Sequence, residues 1–150
     1  MSEETRNQEI ILSTIEKISR INRKDISQYD GNIILRTSVA GDKMPDIQVC
    51  AIIESERVDL VTVVYYKVKN EVRSKVLELI NSLNMRLNFV TFYIDDSSDL
   101  MSRYTFNLFG DEESIRNSVT TGFGLYAASL DECIPAILSL IWNEEEENRE

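Results

Sequence analysis

The pattern of apolar and polar positions predicts an α+β fold, and it is clearest over Val58–Phe109, which reads strand, helix, strand, strand. Val58–Val68 is dense in valine, leucine and tyrosine, as a largely buried strand is. Asn70–Leu87 places its apolar residues on one face of a helix. Phe89–Ile94 and Met101–Phe109 alternate around a polar loop, which indicates a hairpin. This segment is expected to form the centre of the fold.

The elements before this segment are predicted as a helix over about Thr5–Lys24 and two strands, Ile33–Val39 and Asp46–Glu54. Thr5 and Gln8 fit a capping box, and isoleucines recur at the helical period after them. Short loops of turn residues join the strands, which predicts an antiparallel meander. The complete order is α-β-β-β-α-β-β-α, a five-stranded antiparallel sheet with helices packed on it.

The last element is predicted as one long helix over Asp111–Trp142. Gly122, Gly124 and Pro135 oppose a continuous helix, because glycine and proline both weaken helical structure. The apolar residues nevertheless keep one helical phase across the whole segment, which a free loop would disturb. We therefore expect a helix bent near Pro135, with a break at Thr120–Gly124 as the open alternative. At about 1.5 Å per residue it should overhang the sheet.

The chain of 150 residues is expected to form a single domain over residues 1–143, followed by an acidic, disordered tail over residues 144–150. Its start is polar, unlike a secretory signal, and no apolar run approaches the length of a membrane span. Cys50 and Cys133 have no metal-ligand spacing, so the predicted location is a reducing cytoplasm.

Charge and composition narrow the classes of function. The 16 basic and 26 acidic residues give a net charge of −10, which disfavours nucleic acid and membrane surfaces as partners. The charge serves solubility alone, or it suits basic or aggregation-prone protein clients. Histidine is absent, which removes the commonest general base and transition-metal ligand. We therefore expect no enzyme, no catalytic residue, no cofactor and no metal site.

Four residues are candidates for protein binding. Ile52, Leu60 and Tyr66 are predicted to flank an exposed sheet face, where a partner would dock. Trp142 lies opposite the apolar stripe of the last helix, which fits either an interface or incidental exposure. The run Asp95–Asp99 lacks the spacing, glycine and terminal glutamate of a calcium loop, so a hairpin turn is the better interpretation.

The segment VDLVTVVYYKVKNEVRSKVLELINSLNMRLNFVTFYIDD resembles the YbjN family of small bacterial proteins, described as sensory transduction regulators. The likeness includes a helix ending in an L-x-x-L-N-x-x-L-like pattern, here Leu79–Leu87, two following strands, and a long final helix with a late proline, Pro135. The fold is similar to that of type III secretion chaperones. The resemblance implies a non-enzymatic, protein-binding or regulatory role and a homodimer.

The resulting hypothesis is a chaperone-like or regulatory adaptor that engages partner protein segments through the sheet face and the terminal helix. The alternative is a small-molecule sensor with a pocket between helix and sheet. The sequence also leaves open whether the first helix packs on its own sheet or on a second chain.

Overall fold

The structure, a computed structural model, describes residues 2–18 and 21–149, with the backbone alone over residues 21–24. Three helices and six strands are formed within these ranges. The elements in chain order are α1 (Glu3–Glu16), β1 (Ile21–Tyr29), β2 (Asn32–Val39), β3 (Ile47–Ile53), β4 (Arg57–Tyr65), α2 (Asn70–Arg86), β5 (Thr91–Ile94), β6 (Leu100–Asn107) and α3 (Glu112–Glu147).

The first predicted helix was too long, and its end is a strand. Helix α1 stops at Glu16, where the N–H of Lys17 closes the last turn, and Ile21–Tyr29 forms β1. Residues 19 and 20 of the prediction lie outside the described residues. The helical spacing of the isoleucines continued across residue 16, which made the predicted helix too long. The Asp30–Gly31 turn favours a β-hairpin there, because both residues have positive φ, 52° and 80°. Strand β1 therefore pairs with β2.

The N-terminal cap of α1 also differs from the prediction. Ser2 is the N-cap, and its Oγ accepts a hydrogen bond from the N–H of Thr5. The side chain of Gln8 turns away from the helix start. Its Nε2 donates to the carbonyl oxygens of Gly31, at 2.8 Å, and Ile53, at 3.3 Å. Gln8 thus ties α1 to the sheet beneath it, so the first helix packs on its own chain here.

The sheet has six strands in the order β1-β2-β3-β4-β6-β5, where five were expected. All neighbours pair antiparallel, which agrees with the predicted meander and hairpin. The additional strand, β1, was missed because its five described side chains, residues 25–29, are all exposed. A strand with both faces in solvent carries no apolar alternation that would reveal it.

All three helices pack on the same face of the sheet and bury one continuous core. The strand positions in this core alternate, as side chains along a strand do. Helix α3 contributes the centre of the helical layer, with α1 and α2 beside it. The largest fully buried side chains are Ile11, Ile15, Leu35, Ile47, Ile53, Leu60, Phe92, Leu100, Phe123, Tyr126, Leu130 and Ile137.

Helix α3 is continuous through Gly122, Gly124 and Pro135, which confirms the predicted long helix and excludes the break. Gly122 faces the sheet: a Cβ there would lie 2.8 Å from the ring of Phe106. Its missing side chain therefore permits close packing. At about 1.5 Å per residue the 36-residue helix is about 54 Å long, whereas the nine-residue strand β4 reaches about 30 Å. The helix extends past the sheet.

The predicted disordered tail begins inside this helix, which continues to Glu147. Two of its acidic side chains have partners on neighbouring elements. Lys75 of α2 donates to Glu144 Oε1 at 2.7 Å, and the hydroxyl of Tyr65 donates to Glu145 Oε1 at 2.9 Å. These contacts fix the last turns of α3 beside the N-terminus of α2 and the end of β4.

Candidate protein-binding surface

One face of the sheet has no helix on it. In each strand the residues between the core positions point to this side, and we call it the uncovered face. Its apolar side chains are half-buried and take no part in the core that the helices cover. They meet across the strands, Ile34 beside Ile52, Cys50 beside Val61, and Met101 between Val63 and Tyr93. The apolar members are Ile34, Cys50, Ile52, Val61, Val63, Tyr93 and Met101.

Of the four sequence-predicted residues, two lie at this face. Ile52 is on it, and Tyr66 follows β4 at its edge with 68% of its surface exposed. Leu60 is not: it is fully buried on the helical side, so its predicted place was wrong. The register explains this, because Leu60 lies opposite the core residue Ala51. Trp142 is 55% exposed on α3, in the helical layer.

Sequence reasoning missed Val61 and Val63, which stand on the uncovered face in place of Leu60. The run VDLVTVV is apolar at nearly every position, so its buried side cannot be read from periodicity. Asp59 is the signal that could have located it. Because Asp59 and Val61 alternate with Leu60, the carboxylate marks the face that the helices leave open.

A neutralised ion pair lies within this apolar surface. Asp59 is only 5% exposed, and its carboxylate accepts a hydrogen bond from Thr105 Oγ1 on β6. The Nη2 atom of Arg103, also on β6, lies 3.2 Å from Asp59 Oδ2. The Arg103 side chain remains 50% exposed. The carboxylate is thus compensated, and the remaining N–H donors of Arg103 face solvent.

A groove opens in the uncovered face where β3 and β4 separate. Their ladder ends at the Cys50–Val61 pair, and beyond it the hydroxyl of Thr62 donates to the carbonyl of Gln48 at 2.7 Å. An irregularity between Val63 and Tyr65 marks the same end of β4. The groove has a volume of about 340 Å³. Its lining includes Arg36, Gln48, Cys50, Val61, Val63 and Tyr66.

The groove is apolar inside and cationic at its rim. Burial raises the pKa of the Cys50 thiol, although the positive charge of Arg36 opposes this, so the thiol stays protonated at neutral pH. Arg36 is exposed, and in the part of the chain that the structure describes no carboxylate lies within ion-pair distance of it. A protonated thiol serves as apolar lining, and the Arg36 guanidinium stands at the rim with its N–H donors exposed.

A family comparison decides the class of protein. The model of the YbjN family, described as "Putative bacterial sensory transduction regulator", matches residues 45–139. The chain belongs to the YbjN family. The resemblance seen in the sequence is thereby confirmed at the level of the family.

Two further comparisons add little. No curated protein matches the chain. The crystal structure of an uncharacterized protein from Methanothermobacter thermautotrophicus aligns over 94% of this chain and 98% of its own, with 14% identity and a TM-score of 0.42. At that score it carries no argument about fold or function. The likeness to type III secretion chaperones therefore stays an expectation.

The YbjN match covers strands β3 to β6 and most of α3, so it includes the Asp59–Arg103 pair and the part of the groove that β3 and β4 line. It leaves out α1, β1 and β2. Ile34 and Arg36, which complete the uncovered face, lie on β2 outside the matched residues. The face thus combines family-matched strands with a strand from the preceding part of this chain.

Two acidic side chains of this YbjN protein stabilise the β5–β6 loop by accepting hydrogen bonds from the backbone. Asp95 accepts hydrogen bonds from the N–H groups of Ser97 and Asp99 in the β5–β6 loop, and Asp99 accepts one from the N–H of Lys67. This is the hairpin turn that the sequence predicted. Within residues 2–18 and 21–149, no group of three or more His, Cys, Asp or Glu residues could hold a metal ion.

Asp131 of α3 holds the β2–β3 loop in the same way. Its carboxylate accepts from the N–H groups of Asp42, Lys43 and Met44 at 2.8–3.0 Å. Desolvation raises the pKa of Asp131, but the three backbone donors outweigh it and bring the pKa below its ordinary value. The loop that connects two strands of the uncovered face is thereby anchored to the helical layer.

Helix α3 is, by length and composition, long and apolar enough to cross a membrane. This modifies the expectation that no apolar run approaches that length. The core helix of a soluble protein meets the same criterion, and in this fold one face of α3 is the centre of the core. The cytoplasmic location stays a prediction.

Proposed function

We propose that this YbjN protein is a non-catalytic bacterial protein-binding module, a chaperone-like or regulatory adaptor that engages partner segments through the uncovered face, with α3 as a second contact. The observation that supports it most is the continuous apolar surface on a sheet whose other side is already covered. Membership of a sensory transduction regulator family fits a regulatory role.

The uncovered face has the composition of a binding surface. Its seven apolar side chains lie together across five neighbouring strands, and the one buried carboxylate among them, Asp59, is neutralised by Arg103. Contiguous exposed apolar patches on soluble proteins mark interaction sites more often than chance exposure. A partner that covers the face would bury apolar surface on both proteins without burying an unpaired charge.

The charge of the chain indicates the partner chemistry. With a net charge of −10, the molecule attracts basic segments from a distance and repels acidic ones. The client is therefore a basic protein segment with exposed apolar residues. A partly unfolded basic protein has both features, which is the chemistry that a chaperone-like adaptor would meet.

The pocket required by the small-molecule alternative is not favoured by the packing between helix and sheet. A pocket of about 420 Å³ does lie between α3 and the β2–β3 loop, at the edge of this layer. Above the middle of the sheet, Phe123 and Tyr126 of α3 fill the space and are at most 1% exposed. The Tyr126 hydroxyl bonds Ser102 at 2.7 Å, and burial raises its pKa to about 12 despite that bond. In the described ranges no buried side-chain polar atom lacks a partner, so none there calls for a ligand.

Reduced lysozyme, a basic protein that aggregates when its disulfides are cleaved, is a suitable client for the test. We expect the wild-type chain to suppress the light scattering of this aggregation, and Val61→Glu to lose most of that suppression. Leu77→Glu is the matched control, because Leu77 is an exposed apolar residue on α2, on the helical side. The proposal fails if V61E protects as well as wild type, or if L77E loses as much.

A further inference from the structure

The groove in the uncovered face and the exposed tryptophan of α3 are complementary. We infer that a second copy of this chain occupies the groove, with Trp142 of each protomer inserted between β3 and β4 of the other and Glu146 placed against Arg36. This self-association goes beyond the proposed client binding and does not depend on it.

The position of Trp142 directs it to another molecule. It stands 55% exposed near the end of α3, three residues before the Glu145 that contacts Tyr65 of β4, whereas the groove opens on the face opposite the helices. A sheet and its core separate the two within one protomer, and a continuous helix cannot fold back around them. Trp142 therefore has no access to its own groove, but it can reach the groove of a second copy.

The charge of Arg36 and the volume of the groove both fit Glu146 and Trp142 of a second copy. Glu146 is exposed one helical turn after Trp142, so the two side chains share a face of α3. Arg36 stands at the groove, and its cross-strand neighbour Asp25 shares this face without lying within ion-pair distance of it. A volume of about 340 Å³ is at the low end for ligand pockets and suits one aromatic side chain. Tryptophan and arginine are also the residues most enriched at binding hot spots.

Both halves of the contact lie at the same end of the molecule. The Tyr65 hydroxyl bonds Glu145 in the last turns of α3, and the next residue, Tyr66, lines the groove. In a twofold dimer, residue i of one protomer meets residue j of the other and the reverse. Because Trp142 and the groove flank one end of the sheet, a single axis near Tyr66 can form both contacts together.

The one tryptophan of the chain makes the test direct. Its emission is recorded from nanomolar to high micromolar protein without any client, together with the mass from sedimentation equilibrium. We expect a dimer whose formation shifts the Trp142 emission to the blue. A monomer throughout, or a dimer whose emission does not change, overturns the inference.

Charge reversal tests the pairing. Arg36→Glu should weaken dimerisation about tenfold, and the double variant R36E/E146R should restore it. Arg86→Glu on α2 is the control with the same change in net charge and should leave the dimer unaffected.

Trp142→Ala should weaken dimerisation about 30-fold, the effect of a typical hot-spot residue. Failure of R36E/E146R to recover affinity, or equal weakening by R86E, counts against the proposed contact. These measurements contain no lysozyme, so their outcome is separate from that of the client experiment.

Discussion

Gly41 lies directly against the carboxylate of Asp131, so close that a Cβ on residue 41 would overlap Asp131 Oδ1. This contact lets Asp131 accept three consecutive N–H groups from the β2–β3 loop. Helix α3 is thereby joined to the loop between β2 and β3. The absence of a side chain at Gly41 is a condition for that joint.

Gly41→Ala is expected to destabilise the protein by about 1–3 kcal/mol, because the new methyl group displaces the loop or the carboxylate in a packed region. The free energy of unfolding from urea titration measures this. Gly124→Ala serves as the control, because a Cβ there meets no atom within 4 Å. Equal stability of G41A and wild type would show that the contact is looser than described.

The Asp131 carboxylate makes stability depend on pH. Its pKa is lower in the folded state than in the unfolded chain, so its contribution is complete above the ordinary aspartate pKa of about 4. The contribution is lost as the pH falls through the folded-state value. Asp131→Asn should cost about 1–2 kcal/mol at pH 7 and less at pH 3. A cost that does not shrink at pH 3 would contradict the three-donor contact.

The two glycines of α3 are expected to respond oppositely to the same change. Gly122→Ala should destabilise by about 1–3 kcal/mol, since its Cβ would press on the Phe106 ring at 2.8 Å. Gly124→Ala should stabilise by about 0.5–1 kcal/mol, because alanine is the better helix former and the site is open. Thermal unfolding of both variants measures the difference. If both substitutions changed the stability in the same direction, Gly122 would not face the sheet, and Gly124 would not face open space, as described.

Adjacent residues of β4 provide a test of the register. Leu60→Glu buries a charge in the core and should cost more than about 4 kcal/mol, or prevent folding. Val61→Glu, on the uncovered face, should cost about 1 kcal/mol or less. Far-UV circular dichroism during urea titration compares them. If V61E unfolds as readily as L60E, the sides of β4 are not as described.

Much of the fold could be predicted because local signals agreed with tertiary packing. Strands β2 to β6 and helices α2 and α3 follow the periodicity of their residues, and the continuity of α3 across Gly122 and Pro135 followed from the phase of its apolar positions. Strand β1 could not be found in that way, because its described side chains, residues 25–29, are all exposed. The Asp30–Gly31 dipeptide was the available signal for its hairpin.

The candidate surface was predicted only in part, for a different reason. The positions of Ile52 on the uncovered face and of Tyr66 at its edge followed from alternation, but the place of Leu60 depended on which residue of β3 it faces. The register of strand pairing is set by turn geometry and by the core. It cannot be read from the sequence of a strand that carries apolar residues on both faces. The groove depends on where the β3–β4 ladder ends, which no sequence periodicity encodes.

The most direct test of the central claim is a map of amide shifts in the NMR spectrum of the chain as reduced, carboxamidomethylated lysozyme is added. The account predicts shifts concentrated on β3 and β4 at residues 48–52 and 61–63, with the solvent-facing amides of α1 and α2 unchanged. Shifts confined to the helical side, with β3 and β4 unaffected, would contradict a binding role for the uncovered face.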